Sequence, residues 1–137
     1  MQWNNNIYIN LRRLFLKKDI ELLEKVQHRA SRMVQEVRGW SYDQRLSSLK
    51  WSTSEDRRLR GDKIQVFKLI KGFDIAAPNT FFNMSNTGLW GHTFKIYKSA
   101  FRTNKGKFSF SNRIFEDWNS LPQHVVSSDT VNTFKIR

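Results

Sequence analysis

The sequence predicts a mainly α-helical fold: a small domain of about five helices with a short extended or β-hairpin element near residues 92–110. Three observations lead there. Apolar residues recur at three- and four-residue steps after Asp19, again after Ser54, and again between Phe110 and Leu121. Ser-x-x-Gln and Ser-x-x-Glu patterns, the signature of a capping box, stand ahead of two helical runs. The alternation that marks a strand appears clearly at 92–98 alone. A chain of 137 residues has room for one ordinary domain. Residues 1–16 therefore read as an irregular or helical stub, and 17–137 as a single helical domain.

In the stub, Leu11-Arg12-Arg13-Leu14-Phe15-Leu16-Lys17-Lys18 mixes apolar and basic residues. A nuclear-import or membrane-surface signal has this composition, and so does a helix stub that packs on something. Asp19 then suits the cap of a first helix. Its apolar positions Ile20, Leu23, Val26, Ala30, Met33, Val34 and Val37 fall on one side, expected to face inward, while Lys25, Arg29 and Arg32 gather opposite. Gly39 is the expected stop.

Ser41 and Gln44 form the first capping box and open a short helix with Leu46 and Leu49 inward, followed by Trp51 at a turn. Ser52 and Glu55 form the second, ahead of a helix to about Phe73 that turns Leu59, Val66, Phe67, Ile70 and Phe73 inward and stops at Gly72. Asp62 stands four residues after Arg58, the spacing of an intrahelical ion pair, and reads as structural. Arg57, Lys68 and Lys71 repeat the cationic far side. Residues 74–91 form a long connection around Pro78, pinned by Phe81 and Phe82. In the extended segment, Phe94 and Ile96 face one side and Thr93, Lys95 and Tyr97 the other. Beyond it, Arg102, Lys105 and Lys107 interleave with Phe101, Phe108 and Phe110, an arrangement suited to phosphates and bases or to a half-buried hairpin. Phe110, Ile114, Trp118 and Leu121 line a helix that Pro122 ends, and Ser128 or Asp129 caps a last one through Val131 and Phe134.

Lys and Arg number 24 against 12 Asp and Glu, so the net charge is +12 and an acidic partner is the first to consider. With no cysteine, disulfides, thiol nucleophiles and cysteine-based zinc sites are excluded. His28, His92 and His124 lack metal-ligand spacing, the glycines form no phosphate loop, and no Gly-x-Ser-x-Gly turn or paired-aspartate motif is present. The expectation is a binding module with no catalytic residue, no metal, no cofactor and no small-molecule substrate. No apolar run approaches the length of a membrane span, so no membrane partner is expected either. The N-terminus lacks a signal-peptide core, which points to an intracellular protein of nucleus or cytoplasm.

Five blocks, in order, then say more: residues 23–32 (Leu-Glu-Lys-Val-Gln-His-Arg-Ala-Ser-Arg), 41–46 (Ser-Tyr-Asp-Gln-Arg-Leu), 55–62 (Glu-Asp-Arg-Arg-Leu-Arg-Gly-Asp), 118–122 (Trp-Asn-Ser-Leu-Pro) and 131–135 (Val-Asn-Thr-Phe-Lys). The chain resembles, over residues 17–137, the C-terminal thumb and post-thumb region of the reverse transcriptase of non-LTR (LINE-type, jockey-like) retrotransposons. The resemblance implies a parent RNA-directed DNA polymerase whose metal-binding aspartates lie in a palm this sequence does not contain. It implies a non-catalytic piece that binds RNA or RNA–DNA hybrid and, where present, the rest of the enzyme. The cations inside the matching blocks are Lys25, Arg29, Arg32, Arg57, Arg58 and Arg60, with Arg113 nearby. Arg102, Lys105 and Lys107 join them on charge alone. Where the family often reads Thr-Arg-Gly-His this chain has Leu89-Trp90-Gly91-His92, which leaves His92 out of the expected contacts. Trp-Ser-Pro is replaced by Arg12-Arg13-Leu14, and the sequence stops in a short final helix, as in a truncated copy. Other expectations are a protein-interaction scaffold or a functionless relic of a degenerate element.

Overall fold

A computed structural model of the chain describes residues 17–85, 91–103 and 109–136. It is mainly helical: six α-helices and two 3-10 turns among the described residues. The chain divides into two compact units, Met1–Leu59 and Arg60–Arg137.

Unit 1 begins with α1 (Lys17–Met33), in which Asp19 stands inside the first turn rather than at the cap, where its charge still favours the N-terminal dipole. The helix stops before Gly39. Val34 is extended and a 3-10 turn at Gln35–Val37 buries Val37. α2 (Tyr42–Leu49) carries the expected capping box, with Ser41 N donating to Gln44 Oε1 at 3.0 Å and Gln44 N to Ser41 Oγ at 3.4 Å. α3 (Ser54–Ile70) is capped one residue later than expected. Thr53 Oγ1 accepts from Asp56 N at 3.1 Å and donates to Asp56 Oδ2 at 2.7 Å, so the pair is Thr53 and Asp56 in place of Ser52 and Glu55.

The face that α1 buries is the main correction. Leu23, Val26 and Met33, expected inward, are exposed, Val26 at 66% and Met33 at 79%, while Gln27 (7%) and Ser31 (0%) are buried. Hydrogen bonds explain the choice. Gln27 Nε2 donates to Ser52 O at 2.8 Å, and Ser31 Oγ accepts from Arg45 Nε at 3.0 Å. Arg45 of α2 is itself buried, and it donates further to the Trp40 carbonyl and lies 3.5 Å from His28 Nε2. A buried guanidinium needs acceptors, and the polar side of α1 supplies them.

Unit 2 takes the rest of α3, a 3-10 turn at Pro78–Thr80, α4 (Phe110–Asn119), α5 (Gln123–Val126) and α6 (Val131–Ile136). α3 ends as expected at Gly72, whose φ of +73° suits glycine; Phe73 N then donates to Lys68 O at 2.9 Å and Gly72 N to Leu69 O at 3.4 Å. Val66, Phe67, Leu69, Phe82, Ile96, Phe110, Ile114, Trp118, Val125, Val126 and Phe134 form an apolar core. Phe67 stacks on Phe134 with ring centroids 4.4 Å apart. Phe73, expected inward, is exposed. Thr130 rather than Ser128 or Asp129 caps α6, accepting from Thr133 N at 3.1 Å, because Ser128 is turned into the core and donates to Val125 O at 2.7 Å.

The extended element makes one antiparallel bridge, between Met84 and Ile96. Its other edge is held by the Trp-Asn block. Trp118 Nε1 donates to Phe94 O at 2.7 Å, Ile96 N to Asn119 Oδ1 at 3.0 Å, and Asn119 Nδ2 to Ile96 O at 2.9 Å. The Asn119 amide thus stands in for the backbone of a neighbouring strand.

Candidate nucleic-acid interface

A helix turns about 100° per residue, so Lys18, Lys25, Arg29 and Arg32 fall within an arc of about 60° on α1. All are exposed. Lys25, Arg29 and Arg32 line a shallow open groove together with Glu21, Glu24 and His28. Lys18 extends the row by two turns; sequence reasoning passed over it, although its seven-residue distance from Lys25 is a helical repeat.

Of the two carboxylates in the groove, Glu24 is committed elsewhere, while Glu21 stands exposed one turn before Lys25. Glu24 accepts from the Tyr42 hydroxyl and, through Oε2, from Ser54 N at 2.9 Å, which ties α1 to α2 and to the start of α3. Burial raises the pKa of Glu24, but the bonds from Tyr42 and Ser54 and the charge of Arg57 outweigh it and hold the carboxyl below its ordinary value. Burial and the same Glu24 bond push Tyr42 up to about 12.

The other expected contacts lie apart. Arg57 donates to Gln27 Oε1 on the buried side of α1, roughly opposite the cationic row. Arg58 is half-buried. Arg60 is exposed and donates to the Lys135 carbonyl at 3.0 Å. Arg102 is exposed, and Lys105 and Lys107 lie outside the described residues. Arg113 is not available to a phosphate: Nε and Nη2 bind Asp62 Oδ2 and Oδ1 at 2.7 and 2.9 Å, with both side chains nearly buried. Asp62, expected to pair with Arg58, thus takes a bidentate partner from α4, at a separation that helical spacing cannot reveal.

His92 is a packing residue. Its Nδ1 accepts from Phe94 N at 3.2 Å, which leaves Nε2 to donate to Trp118 O at 2.9 Å. Burial pushes its pKa below the ordinary value, the Trp118 bond resists, and the charge of Lys95 adds to the lowering. Among the described residues no group of three His, Asp or Glu side chains is placed to hold a metal, and no helix is long and apolar enough to cross a membrane.

Comparison with protein families, curated proteins and solved structures finds no match to this chain.

Proposed function

We propose that the chain is a non-catalytic nucleic-acid-binding piece, similar to the C-terminal region of a non-LTR retrotransposon reverse transcriptase, that grips RNA or RNA–DNA hybrid. The observation that carries the binding is the row Lys25, Arg29 and Arg32, exposed side by side along one groove of α1 with Lys18 beyond. Cations gathered on one side of a helix are what a polyanion needs, and each phosphate neutralised releases counterions. Arg113 drops out of the interface and Arg102 stays a candidate in unit 2. On this reading polymerisation belongs to a palm elsewhere, and primer extension by this chain alone is blank.

The test is charge reversal. Lys25→Glu, Arg29→Glu and Arg32→Glu together abolish binding of a labelled RNA in fluorescence anisotropy and leave the circular dichroism of the chain unchanged. Undiminished binding by the triple variant refutes the assignment.

A second reading has its own observation. Leu22, Leu23, Val26 and Met33 form an exposed apolar stripe beside the cationic row. A protein-interaction scaffold would use that stripe to recruit a partner or a second copy. Light scattering at two concentrations separates the readings, because a monomer at both speaks against self-association.

A further inference from the structure

Folding ordinarily buries most of a tryptophan, and Trp118 is 1% exposed. Trp40 and Trp51, the tryptophans of the described part of unit 1, are 49% and 42% exposed. Trp40 is tied to the cationic groove by successive contacts. Its carbonyl accepts from Arg45 Nη1, Arg45 Nη2 lies 3.5 Å from His28 Nε2, and His28 lines the groove with Lys25, Arg29 and Arg32. Tyr42 stacks on His28 with ring centroids 4.3 Å apart, which fixes that wall of the groove. The residues before Trp40 leave it accessible: Arg38 is exposed, and a Cβ added at Gly39 would meet nothing within 4 Å. The backbone of Trp40 is thus linked through Arg45 to His28 in the wall of the groove, and its indole is exposed.

We propose that this groove takes a single strand, RNA or DNA, with phosphates on Lys25, Arg29 and Arg32 and an unpaired base stacked on Trp40. The inference rests on the phosphate-binding reading above and adds the form of the nucleic acid. In a duplex the base faces are covered by their neighbours, so an exposed indole gains nothing. In a single strand every base offers a π face, and stacking on an aromatic side chain is insensitive to sequence.

The experiment measures binding of the full chain to an unstructured oligouridylate and to a duplex of matched length, at one salt concentration. The strand binds more tightly than the duplex. Trp40→Ala lowers affinity for the strand about tenfold and leaves the duplex unchanged, while Trp40→Phe, which keeps a ring, retains most of the binding. Oligouridylate also quenches the tryptophan emission of the unmodified chain, a readout that needs no substitution. Equal affinity for strand and duplex, an unquenched emission, or a Trp40→Ala chain that binds oligouridylate as the parent does overturns the single-strand proposal and spares the phosphate grip. Binding of neither strand nor duplex overturns both.

Discussion

In unit 1 the side chains that α1 and α2 bury most deeply include Gln27, Ser31 and Arg45, while in unit 2 α4 buries Ile114, sets Phe110 beside Phe82 and sets Trp118 beside Phe134. The first unit is specified largely by directional bonds among polar groups, the second by area removed from water. The contrast teaches where function has room. Because α1 meets its neighbours through its polar side, both its apolar stripe and its cations remain on the surface. Unit 2 buries Phe67, Phe82, Phe110, Trp118 and Phe134, and its interior cation, Arg113, is neutralised by Asp62.

The largest effect expected from this contrast is in unit 2. Trp118→Ala opens a cavity and frees the Phe94 carbonyl, and should lower stability by about 3–5 kcal/mol in urea denaturation. A loss under about 1 kcal/mol would mean that the aromatic core is not the source of stability. In unit 1, Arg45→Met keeps much of the volume but strips Ser31 Oγ and the Trp40 carbonyl of a charged donor. The expected loss is about 2 kcal/mol. A neutral or stabilising outcome, as replacement of buried ionic groups by apolar ones sometimes gives, would show that unit 1 does not depend on its polar bonds.

The units also differ in the pH they tolerate. His92 has a lowered pKa in the fold, so its contribution is present above its ordinary value of 6.5 and lost as the pH falls, because the unfolded chain then takes up the proton more readily. Glu24, also lowered, adds its share above 4.5 and loses it as the pH falls further. Tyr42 works in the other direction: its contribution is present below 10 and lost as the pH rises through about 12. Amide exchange should accordingly find unit 2 loosening first on mild acidification and unit 1 first in alkali. Simultaneous loosening at both ends would erase the distinction. The smallest effect concerns the stripe itself. Val26→Ser, at an exposed site, should shift stability by no more than about 0.5 kcal/mol, and a larger loss would place that residue in a core.

Much of the fold is legible in the sequence where the information is local. The capping box at Ser41 and Gln44 and the stop at Gly72 depend on near neighbours, and the core positions Phe110, Ile114 and Trp118 follow from helical spacing. What periodicity does not disclose is which side of α1 is buried, because the partners of Gln27 and Ser31 arrive from Ser52 and Arg45, distant in sequence. The pairing of Asp62 with Arg113 is hidden for the same reason. The caps at Thr53 and Thr130 are each displaced from the expected residues because adjacent Ser and Thr compete for one role, and tertiary bonds decide. Of the candidate site, the row Lys25, Arg29 and Arg32 follows from helical spacing alone, whereas the link from Trp40 to Arg45 is a tertiary bond that spacing does not disclose. The residues of the Trp-Asn block have an internal task, holding the extended segment, which distinguishes them from the cations offered to solvent.

The central claim is that phosphates lie on the cationic row of α1, and the salt dependence of RNA binding tests it most directly. With Lys25, Arg29 and Arg32 each neutralising one phosphate of a single strand, a plot of log affinity against log salt should fall with a slope of about −2, close to a twentyfold loss between 50 and 200 mM. The Arg29→Glu chain should bind more weakly and with a shallower slope. An affinity that ignores salt, or a slope unchanged by that substitution, would contradict the account.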